Sequence, residues 1–176
     1  MQETQVAWDP ISEARLPWES KLFVLYLFAV VAFSLVRALQ IGGQLWSFRN
    51  TPRLPTEDSE FLRALQDAAS KFTYAWEICT AKVAGIRRLV SLTLLLSVFL
   101  LLYNSANILR GISMEKRVWS AAVAGGLAEM FTLFALGMLV CSWLHAVSSF
   151  SAGVLDRRKA AWNYFYDRAK NERESS

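Results

Sequence analysis

The sequence predicts an all-α membrane protein: three transmembrane helices with helical cytoplasmic extensions. Three observations lead there. Hydrophobic residues make up 54% of 176 residues and the mean hydropathy is positive, more apolar surface than an ordinary soluble domain carries. The apolar residues gather into three runs, each near the ~20 residues a helix needs to cross ~30 Å of hydrocarbon. The basic residues are distributed unevenly between the segments that flank those runs.

Residues 1–20 are polar and acidic at the start, without the short basic region that precedes a cleavable signal peptide, so the first apolar run is expected to be retained. Residues 21–47 form the first span. Its only charge beyond Lys21 is Arg37, placed so that the guanidinium can snorkel to a headgroup layer. Residues 48–88 form a helical segment on the far side. It opens with the turn Arg49-Asn50-Thr51-Pro52-Arg53-Leu54-Pro55, and Thr56 or Asp58 is expected to cap the helix that follows. Phe61, Leu65, Ala68, Phe72, Ala75, Cys79 and Val83 recur at steps of three or four and predict one apolar stripe along that helix.

The second span, residues 89–109, carries no charge, and a short loop, 110–118, joins it to the third, 119–147. The tail, 148–176, has no Gly or Pro from Asp156 to Glu174. It is therefore expected to continue the third helix and to bring Trp162, Phe165 and Tyr166 against the segment before span two.

Orientation follows from Lys and Arg, which resist translocation. Seven lie between Arg49 and Arg88 and six after Leu155, against two before Leu22 and three from Arg110 to Arg117. The loop 48–88 and the tail are predicted cytoplasmic, with the N-terminus outside. Membrane lipid is thus an expected partner. The net charge of +4 needs no nucleic acid to explain it, since the basic residues are mixed with acidic ones beside apolar runs.

Glu129 is the one carboxylate inside the third span, and counting from Trp119 places it near mid-membrane. A carboxylate there is costly. Two readings follow: a proton-accepting site facing a bundle interior, or a neutral Glu hydrogen-bonded to a neighbouring helix. Asn104 and Asn107 form a polar patch on span two and either line a polar path or tie helices together. Gly125, Gly126 and Gly137 give span three small-residue positions suited to close helix approach.

Cys79, Cys141 and the lone His145 have no ligand spacing, and no metal or cofactor is expected. No phosphate-cradling loop, nucleophile motif or carboxylate pair is present, so the sequence gives no enzyme signal.

The third span resembles the MotA/TolQ/ExbB family of proton-channel subunits. The stretch Gly126-Leu127-Ala128-Glu129-Met130-Phe131-Thr132-Leu133-Phe134-Ala135-Leu136-Gly137-Met138 follows the ExbB/TolQ pattern G-I-[AS]-E-A-L-x-x-T-A-x-G-L. The order of span, cytoplasmic helix, two spans and helical tail is also similar. This chain departs from the pattern where Phe134 replaces a threonine, where Tyr103-Asn104-Ser105-Ala106-Asn107 replaces Gly-Leu-Leu-Gly-Thr, and where Trp143 replaces a proline. The loop 48–88 is also shorter than is usual there.

The resemblance implies an oligomer, specifically a homopentamer, around partner transmembrane helices that carry an acidic residue. It also implies a bacterial inner membrane, and a proton pathway in which Glu129 faces the pore with Asn107 and Asn104 nearby. A subunit without chemistry, packed laterally in a larger complex through its aromatic and small residues, is the alternative expectation.

Overall fold

The computed structural model describes residues 18–47, 55, 58–115 and 120–174. They form three helices, α1 (Trp18–Ser47), α2 (Asp58–Glu115) and α3 (Ser120–Glu174), and no strand is present among the described residues. Each is long and apolar enough to cross a membrane. Without water to take up backbone N–H and C=O groups, a helix is the way an isolated segment satisfies them itself. Glu19 in the first turn of α1 complements the positive end of its dipole.

Pairwise contacts fix the directions. Ser20 meets Glu129 and Ser34 meets Trp143, each pair 109 residues apart, so α1 and α3 run parallel. Ser105 meets Met130, Cys141 meets Val90, and Phe72 stacks on Trp162, so α2 runs antiparallel to α3 along almost its whole length. The bundle is therefore a long α2–α3 hairpin with the shorter α1 laid beside its middle.

Two apolar clusters hold the helices together. The first joins Phe23, Leu27 and Val30 of α1, Ile86 of α2, and Leu133, Val140 and Leu144 of α3. The second joins Ile41 and Leu45 to Cys79, Val83 and Leu155 at the Ser47 end of α1. Beyond α1 the hairpin continues as two helices. The predicted stripe from Phe61 to Val83 is buried or half-buried throughout. Phe72 stacks on Trp162 at 4.8 Å and Lys159 lies over the Trp76 ring, so these stretches of α2 and α3 pack against each other. Phe165 is half-buried beside Trp162, whereas Tyr166 is exposed.

α2 continues as helix to Glu115 and α3 begins at Ser120, because nothing in Arg110–Glu115 breaks a helix except Gly111, whose cost is only ~1 kcal/mol. At the other end α1 is helical from Trp18. Thr56 lies outside the described residues, and helix α2 starts at Asp58.

Candidate functional site

Glu129 is half-buried on the side of α3 that faces α1, and Ser20 Oγ donates a hydrogen bond of 2.9 Å to its Oε1. Ser20 is itself almost fully buried, at 1% exposure. No cation pairs with Glu129 among the described residues, so its partner is a neutral hydroxyl. The hydrogen bond to a neighbouring helix, one of the two sequence readings, is present.

Glu129 is level with the third residue of α1, because the α2–α3 hairpin projects past the start of α1 and the first turns of α3 run alongside the last turns of α2. Gly126 against Ile108 shows the same overlap. The carboxylate therefore sits near one end of the three-helix section.

Asn104 and Asn107 lie within about a turn of Glu129 in level, since Ser105 reaches Met130 at 3.1 Å. They occupy other faces. Asn104 is half-buried on α2, Asn107 is exposed, and the residue of α3 that faces α2 here is Met130 rather than Glu129. Phe134, at the position where the resembling family carries threonine, is half-buried and apolar.

The three glycines divide by role. At Gly137 an added Cβ would collide with Ser97 and press on Phe23, so all three helices come together there. Gly126 has Ile108 across from it. Gly125 has open space around its Cβ position among the described residues.

Sequence reasoning missed a set of polar contacts between helices. Tyr26 Oη and Thr93 Oγ1 share a hydrogen bond of 3.1 Å. Trp143 Nε1 donates to Ser34 Oγ at 3.2 Å, and Ser34 in turn donates to Val31 O. Ser97, packed under Gly137 of α3, has its hydroxyl satisfied within α2, donating to Thr93 O at 2.7 Å. The available signal was the repeat of single hydroxyls along apolar runs, Ser20 and Ser34 on one helix and Thr93 and Ser97 on another. A serine in such a run can be satisfied by its own backbone or by the next helix.

At the Ser47 end of α1, Gln44 Oε1 accepts hydrogen bonds from Cys79 Sγ at 3.2 Å and Lys82 Nζ at 3.3 Å. Burial pushes the Cys79 thiol above its ordinary range, with Lys82 pulling the other way. Both cysteines are buried free thiols. His145 is exposed on α3, and no group of metal-ligating side chains is found among the described residues.

Comparison of the chain with protein-family models, curated proteins and solved structures returns no match.

Proposed function

We propose that this chain is a subunit of a proton-motive-force-driven membrane complex, a divergent ExbB/TolQ-like oligomeric scaffold. The observation that carries the proposal is Glu129: a carboxylate at a seam between apolar helices, hydrogen-bonded to Ser20 and paired with no cation among the described residues. Ionisable groups in such places are expensive to keep and by default serve proton or ion handling. The helix order and the Gly126–Gly137 motif support the same assignment through the resemblance. In this reading Glu129 is the titratable group, and Asn104 and Asn107 are polar groups at its level.

The assembly follows from the same resemblance. It is an oligomer, a pentamer by analogy, that surrounds partner transmembrane helices bearing an acidic residue. It lies in a bacterial inner membrane with the N-terminus outside and the tail in the cytoplasm, the side favoured by the Lys and Arg count.

A second reading is favoured by the same pair and by Phe134. The Ser20–Glu129 bond is also complete as a clasp between α1 and α3, and Phe134 removes a hydroxyl that the resembling channels carry. In that reading the chain is a non-catalytic accessory subunit of a larger complex.

Proton uptake by vesicles holding the chain and its co-purifying partner separates the two, comparing the native protein with Glu129→Gln. The Gln amide oxygen can still accept from Ser20, so assembly is expected to survive. Flux present in the native protein and lost in the variant supports the scaffold of a proton channel. Equal flux, or none in either, assigns Glu129 to the clasp. Particle stoichiometry gives an independent check: several copies around foreign helices for the first reading, one copy among unlike subunits for the second.

A further inference from the structure

Trp143 reaches Ser34, and Cys141 reaches Val90 O, so Ser34 of α1 and Val90 of α2 share one level of the bundle. Three residues further along α1 is Arg37. Two and three residues back along α2, which runs the opposite way and so moves in the same direction, are Arg88 and Arg87. At about 1.5 Å per residue the three guanidiniums fall within roughly one helical turn of each other in height. Arg87 and Arg88 are exposed, and Arg37 is half-buried with its guanidinium 4.9 Å from the Phe33 ring centroid.

No carboxylate among the described residues balances them. Along the helices the nearest acidic residues on that side are Glu77 and Asp156, each about ten residues from this level, or roughly 15 Å. Glu129 lies farther away, towards the other end. The height also marks the end of an apolar band. Leu92, Leu95, Phe99, Leu102 and Leu109 are exposed on α2 between Arg88 and Arg110, which are about 22 residues or ~33 Å apart, close to the thickness of a hydrocarbon core.

On the other side of Arg37, α1 continues for three more turns. Those turns bury Ile41 and Leu45 on Cys79, Val83 and Leu155, with Gln44 bonded to Lys82. The apolar run of α1 thus outlasts the apolar run of α2 beside it.

We infer that Arg37, Arg87 and Arg88 form a collar that binds the phosphates of anionic phospholipid headgroups, and that the hydrocarbon layer ends at this collar rather than at Trp46. Guanidinium and phosphate match in charge and in paired donor geometry. Three uncompensated cations at one height favour headgroups with net negative charge over zwitterionic ones. The last three turns of α1 then lie among headgroups and water, where the second core cluster and Gln44 hold them to the hairpin.

The test is relative association of spin-labelled phosphatidylglycerol and phosphatidylcholine with the reconstituted full-length chain. The native protein is expected to prefer the anionic lipid, with the preference shrinking in high salt. In R37Q/R87Q/R88Q the preference should fall by about fivefold or more, the worth of one cation near an anionic surface. R157Q/R158Q, farther along the hairpin, should keep most of it. No preference in the native protein at low salt overturns the proposal, as does an equal loss in R157Q/R158Q.

Should the triple variant not fold, the salt series and a depth measurement decide. Leu39→Cys is expected to react with a membrane-impermeant maleimide in opened vesicles, above the background of the native thiols, and Phe28→Cys is not. Protection of both places Leu39 in hydrocarbon and removes the collar as the boundary. Neither measurement involves proton flux or a partner, so failure here is separable from failure of the channel reading.

Discussion

Gly137 offers the sharpest test of the packing, because the structure says which way a single methyl group must fail. Its Cβ position is occupied by Ser97 Oγ and crowded by Ser97 Cβ and Phe23 Cζ. The Ser97 hydroxyl is not free to swing away at no cost, since it donates to Thr93 O at 2.7 Å. Ser97 Cβ cannot move without its backbone. Gly137→Ala therefore carries an overpacking cost of about 1–3 kcal/mol and endangers a hydrogen bond of net worth ~1 kcal/mol.

Gly125→Ala is the internal control. It sits on the same helix with open space around it, and should gain the ~0.5–1 kcal/mol by which Ala is preferred over Gly in a helix. The propensity gain is common to both substitutions and cancels in the comparison. What remains is a difference of ~2–4 kcal/mol in favour of Gly125→Ala. Reversible unfolding in mixed micelles, followed by helicity, measures it. Equal stability of the two variants would refute the close approach of α2 and α3 at Gly137.

Ser20→Ala should destabilise the bundle by about 1–3 kcal/mol by leaving Glu129 without its donor, whereas Glu129→Gln should stay within ~0.5 kcal/mol of native in the same assay; the reverse order would show that the Ser20–Glu129 bond is absent. Trp143→Phe should cost about 1 kcal/mol through the lost donor to Ser34, a loss that Ser34→Ala made in the same chain should largely absorb in a double-mutant cycle. A cycle on Phe72→Ala and Trp162→Ala should give a coupling of ~0.5–1.5 kcal/mol from the stacked rings, and additivity would mean the extensions do not touch. Cys79, buried and with its thiol pushed up, should react with a small maleimide far more slowly at neutral pH than in alkaline solution, and fast labelling at neutral pH would show that the cluster around Gln44 opens readily.

The helices were legible because their cause is local. Apolar runs without proline specify helices in lipid, and the stripe from Phe61 to Val83 shows its 3.6-residue period on the page. That period also foretold which face of α2 meets Trp162, since only one face was apolar. The small-residue positions of α3 were legible as a class but not by role. Gly125 and Gly126 are adjacent in sequence and point about 100° apart around the helix, so one faces Ile108 and its neighbour faces open space.

Relative level and pairing were not legible, because both depend on how far one helix slides along another. Hydropathy locates a run and cannot say that Ser20 falls opposite Glu129. The same slide puts Arg37 level with Arg88, although the apolar run of α1 extends to Trp46. Offsets of this kind are set by contacts of small side chains between helices, such as Ser34 with Trp143 and Gly137 with Ser97. Each such contact is weak in a hydrophobicity scale and strong in a close-packed interior. It follows that the slide itself is the quantity a functional claim about Glu129 depends on. Moving α1 by one turn would carry Ser20 about 5.4 Å from the carboxylate and leave it unpartnered. The hydroxyls and glycines that fix the register therefore also hold Glu129 in its hydrogen-bonded state, and substitutions at Ser34 or Gly137, far from the carboxylate in sequence, should be read out at Glu129 as well as in stability.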